Sequence, residues 1–294
     1  MRPTLTALYL VKNESEFLPL SVATVIHQCD EVVIIDNEST DGSNEIGRKL
    51  QEDNPGKVRF LEMAGDFDTN CEYVNRNKAL KEVHTDWVMT LDADQLISDD
   101  WYKWIKRPMS EEKYDAIRFR YEHLVGSYEY IHKEFLEKQQ NPALHPHVPL
   151  WQTCLWRMRP DLEFKPAMIS DKRFKEFHHA SPDLSMAGRQ FYNSKVVTLF
   201  HYGFCKKNMM EMSIYRIQRG DYGHDRDKKD RMISELKESD NPFRFVGGVV
   251  RVKYGPEIVP SVMKKKFGNT YRLTFYQNSI NIKQRYSVAT GEPV

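Results

Sequence analysis

An apolar run that ends abruptly in two carboxylates is the feature that most constrains this chain. The run W-V-M-T-L, over Trp87–Leu91, is short, rich in large side chains and bounded by polar residues, which predicts a buried strand. Asp92 and Asp94 follow it directly at positions i and i+2. Ligands of open α/β sheets bind just beyond the carboxyl ends of the strands, so we expect both carboxylates at a ligand-binding edge.

Two neighbouring carboxylates at one strand end need a positively charged partner. Like charges a few ångströms apart repel and raise each other's pKa. A divalent cation removes that repulsion, and hard oxygen ligands suit Mg²⁺ or Mn²⁺, which commonly also hold substrate phosphates. The spacing therefore predicts a D-x-D site for a metal and a diphosphate at Asp92 and Asp94. The alternative interpretation is a strand-end turn with two solvated aspartates.

Strands alternate with helices through the N-terminal third of the chain. Such alternation is typical of βαβ units and of a parallel sheet. We therefore predict an α/β fold with a mostly parallel twisted sheet flanked by helices. The predicted strands are Leu5–Val11, Glu31–Ile35, Lys57–Met63 and Trp87–Leu91, and the predicted helices begin near Ser15, Ser43 and Asn70.

Polar and acidic residues follow the first two strands, where a dinucleotide-binding protein would carry glycines. The turn Val11–Glu14 has no glycine, so the G-x-G-x-x-G pattern is missing, and the chain has no P-loop either. The second strand ends at Asp36. Acidic groups at these positions suit hydrogen bonds to a base or a ribose better than they suit a phosphate.

Four segments in this order resemble a family 2 glycosyltransferase with the GT-A fold. They are K-N-E, V-V-I-I-D-N-E-S-T-D-G-S, N-R-N-K-A-L and W-V-M-T-L-D-A-D, and the resemblance covers Leu5–Trp101. It implies a nucleotide-sugar donor, a UDP-sugar being the first choice, and inverting transfer of the sugar to a glycan or another hydroxyl acceptor. It also implies Mn²⁺ or Mg²⁺ as the cofactor.

The resemblance assigns roles to residues at the strand ends. Asp94 would ligate the metal directly, and Asp92 would hold the ribose or a metal-bound water. The metal together with an arginine would neutralise the leaving diphosphate. The remaining implied donor contacts are Asp36 for the nucleoside, Asn13 and Glu14 for the base pocket and Arg76 for the diphosphate.

Inverting transfer needs a base that takes the proton of the acceptor hydroxyl. In the family this base follows a strand that Pro149–Arg159 resembles. Asp171 is our choice for the base, although the family pattern is degraded here and the assignment stays open. The other candidates are Glu176, His178, His179 and Asp183.

A second metal ligand is predicted at the end of the apolar run Val196–Phe204. The run stops at His201, and Gly203 lets the backbone turn closely. Many family members carry a similar H-x-G, in which the histidine completes the metal site or touches the diphosphate. We therefore predict that Asp94, Asp92 and His201 hold the cation. A histidine ligand favours Mn²⁺ over Mg²⁺.

The chain is expected to fold as one GT-A domain with an extension. The domain would cover residues 1–205, with a donor-binding half at 1–98 and an acceptor half at 99–205. Residues 206–294 would form a helical extension that caps the domain or contacts a second copy of the chain. The basic triplet Lys264–Lys266 admits a nucleic-acid acceptor, although a net charge of +1 gives that interpretation little weight.

Composition narrows the class of protein further. The chain has 294 residues, of which 29% are charged and 40% hydrophobic, as in a globular enzyme. No apolar run reaches the roughly 20 residues that a membrane span needs. The four cysteines are scattered without a C-x-x-C pair, which predicts a cytoplasmic protein with reduced thiols and no structural zinc site.

Three other functions compete with this interpretation of the sequence. A sugar-1-phosphate nucleotidyltransferase would need a first loop rich in glycine and arginine, which this chain lacks. A non-catalytic relative would bind a nucleotide-sugar without turnover. A glycosyltransferase acting on a modified nucleic-acid base would share the donor site and would bind polynucleotides in a strongly salt-dependent way.

Overall fold

The fold is taken from a computed structural model of the chain. It describes residues 2–63, 72–125, 127–132, 134, 137, 141, 143, 151–168, 178–182, 190–219, 225–240, 249–251 and 260–263. The strands are β1 (Leu5–Val11), β2 (Glu31–Asp36), β3 (Val58–Glu62), β4 (Trp87–Leu91), β5 (Gln95–Ile97), β6 (Tyr114–Val125), β7 (Ser127–His132), β8 (Trp151–Arg157), β9 (Phe164–Met168), β10 (His178–Pro182), β11 (Gln190–Phe204) and β12 (Val249–Arg251). The helices are α1 (Leu18–Val25), α2 (Ser43–Asp53), α3 (Glu72–Leu80), α4 (Trp101–Ser110), α5 (Met209–Arg219) and α6 (Arg226–Ser239).

One sheet of ten strands organises the described part of the chain. Its N-terminal strands are parallel in the order β4–β1–β2–β3, with Leu5 opposite Trp87 and Val11 opposite Asp36. Since these strands run in one direction, their carboxyl ends lie along one edge of the sheet. The predicted α/β class, with helices flanking a sheet, is confirmed.

The sheet is mixed, and in this detail the prediction of a mostly parallel sheet is wrong. Strand β8 lies between β4 and β6 and runs antiparallel to both, and β7 is antiparallel to β6. The prediction extended the strand–helix alternation of the N-terminal third to the whole chain. Strands β6 and β7 instead follow each other almost directly, and neighbouring strands joined by a short turn pair antiparallel.

Strand β1 is the centre of the core and is buried on both faces. All 7 of its residues are buried. On one face Tyr9 belongs to an apolar cluster with Val22 of α1 and Ile105 of α4. On the other face Leu8 belongs to a second cluster with Leu80 of α3. A strand covered by helices on both faces is apolar at nearly every position, which explains the run L-T-A-L-Y-L-V, in which Thr6 is the one residue with a polar side-chain atom besides the Tyr9 hydroxyl.

Strand β11 connects the N-terminal strands to the other half of the sheet. It pairs in parallel with β6 and antiparallel with the short strand β5. In the second pairing Phe200 lies opposite Leu96, and His201 lies opposite Gln95. Residues that are far apart in the sequence are thereby brought next to the turn that follows β4.

The described residues after 205 contact this sheet at several points. Its helices α5 and α6 agree with the predicted helical pattern, while β12 adds a strand that pairs antiparallel with β7. Met263 is buried in one apolar cluster with Phe17 and Phe200. The division of the chain at residue 205 and self-association through this segment stay predictions, and Lys264–Lys266 lies outside the described residues.

Membrane-crossing segments were searched for in the described ranges. None of the helices there combines the length and the apolar character that crossing a bilayer would require.

Replacing a buried aromatic residue of β11 should destabilise the fold. Phe200 is 1% exposed, and Phe200→Ala should lower the free energy of unfolding by about 3–5 kcal/mol because it leaves a cavity. Val196 on the same strand is 50% exposed, and Val196→Ala should change it by less than about 0.5 kcal/mol. Urea unfolding of both variants measures the difference. Equal losses would contradict the position of Phe200 in the core.

Candidate active site

The two carboxylates of the D-x-D segment lie in the tight turn between β4 and β5. The backbone N–H of Gln95 donates to the carbonyl oxygen of Asp92 at 2.9 Å. The side chain of Gln95 closes the turn a second time: its Nε2 donates to Asp92 Oδ2 at 2.9 Å, and its Oε1 accepts from the backbone N–H of Asp92 at 3.2 Å. These bonds fix the orientation of Asp92 before any ligand binds.

Arg76 of α3 is the positively charged partner of Asp92. Its Nη2 donates to Asp92 Oδ1 at 2.9 Å, and its guanidinium lies 5.8 Å from the ring centroid of Phe164. The side chain of Asp92 is 48% exposed, whereas that of Arg76 is 15% exposed. A ligand can therefore reach Asp92 from solvent, while the mostly buried Arg76 is held in place by Asp92 and by the ring of Phe164. The structure brings these two predicted residues together, and their roles stay predictions.

Asp94 is buried between two basic side chains. Its Oδ1 lies 3.4 Å from His201 Nε2, and its Oδ2 lies 3.1 Å from Lys206 Nζ. The backbone N–H of Tyr202 donates to the carbonyl oxygen of Asp94 at 2.8 Å, which locks β11 to the turn. Burial acts to raise the pKa of Asp94, but the charges of Lys206 and His201 outweigh it and hold the pKa well below its usual range.

Gly203 makes the approach of His201 to Asp94 sterically feasible. A Cβ atom at this position would lie 2.6 Å from His201 Cε1 and 3.1 Å from Asp94 Oδ2. The first distance is far below van der Waals contact, so any side chain would displace the imidazole. The H-x-G spacing noted in the sequence is therefore a packing requirement of this corner.

His123 of β6 contacts the opposite side of the His201 ring. The two Nδ1 atoms are 3.1 Å apart, so one of them donates and the other accepts. Burial, reinforced by the charge of His201, holds the pKa of His123 well below its usual range, so its ring is neutral. With His123 as the acceptor from Nδ1 of His201, Nε2 of His201 faces Asp94. Sequence reasoning missed His123, because only the pairing of β6 with β11 brings it close.

Lys206 is a second residue that the sequence did not single out. Its Nζ lies 2.5 Å from Glu14 Oε1, and its side chain is only 8% exposed. Burial and the charge of Asp94 act to raise the pKa of Glu14, and the neighbouring ammonium of Lys206 opposes them. Glu14 therefore lies beside Asp94 as well as at the end of β1. The available signal was a lysine two residues after the strand that carries His201.

Asp36, the last residue of β2, and Asn37, which follows it, carry buried polar atoms that have no hydrogen-bond partner among the described residues. Asp36 is 2% exposed, and its Oδ2 accepts from the backbone N–H of Ser39 at 2.9 Å. Its Oδ1 is buried without a hydrogen bond among the described residues, and the same holds for both amide atoms of Asn37. Buried polar atoms without partners at a ligand-binding edge suggest that a ligand completes them.

The loops after β1 and β2 are tied to each other by side chains. Asn13 Oδ1 accepts from the backbone N–H of Thr40 at 2.8 Å, and Ser43 Oγ accepts from the backbone N–H of Glu14 at 2.8 Å. Asp41 accepts from the backbone N–H of Ser15 at 3.0 Å. Helix α1 starts at Leu18, with Phe17 as the residue that precedes it, so the predicted start near Ser15 is wrong. The base-pocket role of Asn13 stays a prediction.

The candidates for the base are not placed by the structure. Asp171, Glu176 and Asp183 lie outside the described residues. His178 and His179 belong to β10, opposite Met168 and Ala167 of β9, but their side chains are outside the description. This two-stranded sheet was not predicted from the sequence.

Comparison with known sequences gives one family and two relatives. The model of the family "Glycosyl transferase family 2" matches residues 8–194. A TPR repeat-containing protein of Synechococcus elongatus is 32% identical over 209 residues, which are 69% of this chain and 43% of that protein. An uncharacterized glycosyltransferase of Mycoplasma genitalium is 26% identical over 195 residues, 63% of this chain and 62% of that protein. The chain thus spans less than two thirds of the length of either relative.

Solved structures similar to this chain share little sequence identity with it. A mannosyltransferase from Pyrobaculum calidifontis, in complex with GDP-Man and Mn²⁺, is 15% identical with a TM-score of 0.46, covering 81% of this chain and 69% of that one. A fragment of S. aureus TarS in complex with UDP is 16% identical with a TM-score of 0.45, covering 82% and 72%.

Removing the charge of Asp41 should loosen the two loops in a pH-dependent way. Burial acts to raise the pKa of Asp41, but its hydrogen bonds with Ser43 and Ser15 outweigh it and lower the pKa. Asp41→Asn should therefore lower the free energy of unfolding at pH 7 by roughly 1 kcal/mol, the low end for bonds to an exposed charged group.

The pH profile of this difference follows from the lowered pKa. A carboxylate with a lowered folded-state pKa stabilises the fold above its unfolded-state pKa of about 3.9 and loses that contribution as the pH falls through the folded-state value. Urea titrations at several pH values should show Asp41→Asn and the parent converging below about pH 4. Glu52→Gln, an exposed substitution on α2, is the control. A difference that does not vary with pH would contradict the assignment.

Proposed function

The chain belongs to glycosyl transferase family 2, and we propose that it moves a sugar from a nucleoside-diphosphate donor to a hydroxyl acceptor with inversion at the sugar carbon. The observation that carries this proposal is the approach of Asp94 to His201, at 3.4 Å, beside the Arg76–Asp92 ion pair. These four side chains lie where the parallel strands end. This edge of the sheet would provide positive charge for a bound diphosphate and negative charge for its cation.

The nucleoside of the donor is proposed to bind at the ends of β1 and β2. The buried Oδ1 of Asp36, without a partner among the described residues, supports a hydrogen bond to the ribose or the base. Asn13 and Glu14 would line the base pocket from the β1 side. UDP is the first nucleotide to test.

A divalent cation fits the residues around Asp94. Two octahedral ligands at about 2.0–2.1 Å from a metal and at right angles lie about 3 Å apart. The separation of 3.4 Å between Asp94 Oδ1 and His201 Nε2 is close to that value. No group of three or more His, Cys, Asp or Glu residues is arranged to hold a metal in the described ranges, so the donor itself would complete the coordination.

Asp94 and His201 would hold this Mn²⁺ or Mg²⁺, with Asp92 reaching it directly or through water. When bound, the cation supplies positive charge opposite the leaving diphosphate. Arg76 supplies a second positive charge there, from a guanidinium suited to bidentate contact with phosphate. His123 would hold His201 in the tautomer that presents Nε2, a partnership common around histidine ligands of metals.

The transfer itself needs a base on the acceptor side. The acceptor oxygen forms a bond to the sugar carbon while the bond from that carbon to the diphosphate oxygen breaks. The electron pair leaves with the nucleoside diphosphate, and the hydroxyl proton goes to the base. We assign this role to Asp171, and Asp171→Asn should lower turnover by roughly 10²–10⁴-fold with unchanged donor affinity. Near-parental turnover would move the role to Glu176, His178, His179 or Asp183.

Removing either proposed metal ligand should abolish the metal dependence of donor binding. Isothermal titration of UDP with and without Mn²⁺ measures this dependence. His201→Ala should weaken binding in Mn²⁺ by about 10–100-fold, and Asp94→Asn by at least as much, while binding in chelator stays unchanged. Asp230→Asn, on the exposed surface of α6, is the matched control. Parental binding by His201→Ala would exclude a shared cation, and full transfer activity in excess chelator would exclude the metal altogether.

Truncating Asp36 should weaken nucleotide binding without changing its metal dependence. The loss of one hydrogen bond to a charged group corresponds to roughly 1–3 kcal/mol. Asp36→Ala should therefore raise the Kd for UDP by the matching factor, both in Mn²⁺ and in chelator. Asp30→Ala would be a control at the opposite end of β2, since Asp30 binds Arg2 and the backbone of Leu5. Unchanged UDP affinity in Asp36→Ala would move the nucleoside away from β2.

A further inference from the structure

The ammonium of Lys206 lies between two carboxylates of the candidate active site. Its Nζ is 3.1 Å from Asp94 Oδ2 and 2.5 Å from Glu14 Oε1. The three side chains are 8%, 9% and 19% exposed for Lys206, Asp94 and Glu14. A long, strongly hydrated side chain has thus been withdrawn from water in order to place one positive charge here.

The ammonium of Lys206 lies next to the carboxylate at which the divalent cation would bind. Asp94 is the carboxylate proposed to bind the divalent cation, and Lys206 already neutralises it. A cation entering at Asp94 would lie a few ångströms from the ammonium, and two positive charges repel strongly at that distance in a buried environment. Buried ion pairs are in themselves weak contributors to stability, so stability alone is a poor reason for this arrangement.

Glu14 provides a second partner that allows Lys206 to release Asp94. Its carboxylate lies closer to the ammonium than that of Asp94 does. Its backbone is fixed because the N–H of Glu14 donates to Ser43 Oγ at 2.8 Å. If a cation and a diphosphate occupied Asp94, the ammonium would keep Glu14 and would remain paired. The pair Glu14–Lys206 can therefore persist in both states of the site.

We propose that Lys206 is a built-in counter-ion of Asp94 that keeps the divalent cation out until a nucleoside diphosphate arrives with it. The inference rests on the proposed function, because it takes Asp94 as the ligand of the cation. In this role Lys206 makes the binding of the cation depend on the binding of the donor. The diphosphate adds the negative charge needed to offset the ammonium, so the cation and the donor bind as one complex.

Binding of Mn²⁺ with and without UDP tests this inference directly. In the parent, Mn²⁺ alone should bind weakly, and saturating UDP should tighten its binding by about tenfold or more, the usual scale of coupling between two ligands. Lys206→Met should tighten the binding of Mn²⁺ alone by about tenfold or more, since a nearby positive charge is removed. Lys207→Met changes the adjacent exposed lysine and should leave both affinities at their parental values.

Two further variants keep the test decisive if Lys206→Met does not fold. The double variant Glu14→Gln/Lys206→Met removes the carboxylate that would otherwise be left without its counter-ion, and it should also bind Mn²⁺ alone more tightly than the parent. Lys206→Arg keeps the positive charge and should retain weak binding of Mn²⁺ alone. Parental binding of Mn²⁺ alone by the folded neutral variants would overturn the inference.

The outcomes separate the inference from the function it rests on. If the parent binds Mn²⁺ with UDP but the neutral variants bind Mn²⁺ alone no better than the parent, the role of Lys206 is wrong and the metal site stands. If UDP does not affect Mn²⁺ binding by the parent at all, the shared site of the proposed function is wrong, and the inference falls with it.

Discussion

The pairing of two short stretches of β5 and β11 is the constraint on which the candidate active site depends. It places His201 opposite Gln95, and the bond from the N–H of Tyr202 to the carbonyl of Asp94 extends it into the turn after β4. Gly203 leaves the space that this approach needs. Without the pairing, Asp94 would contact only residues of the turn between β4 and β5, and His201 would not be held at a fixed distance from it.

Charge balance explains how so many acidic groups share this corner. Asp92 is paired with Arg76 near the surface, and Asp94 and Glu14 share Lys206 further inside. Each of these acidic groups thus contacts a basic side chain, and unpaired buried charges would be far more destabilising. In the proposed function the exposed Arg76–Asp92 pair would contact the incoming diphosphate, and Lys206 would control the access of the cation to Asp94. The charges of the site would then suit an anion that carries its own cation.

Local pattern was enough to predict the N-terminal strands, and it singled out Arg76, Asp92, Asp94 and His201, which the structure brings close together. The mainly apolar runs of β1 and β4 predicted their bounds, because each run is almost entirely buried and is followed by polar residues. His123 and Lys206 escaped prediction because only long-range strand pairing brings them to Asp94. The antiparallel insertion of β8 between β4 and β6 escaped for the same reason, since no local signal in Trp151–Arg157 specifies its neighbours.

A crystal structure of this chain with UDP and Mn²⁺ is the most direct test of the central claim. The account predicts one metal ion held by Asp94, by Nε2 of His201 and by the diphosphate, with the ammonium of Lys206 still bound to Glu14 but withdrawn from Asp94. A nucleotide bound at the ends of β1 and β2 while Asp94 remains paired with Lys206 and free of metal would contradict it.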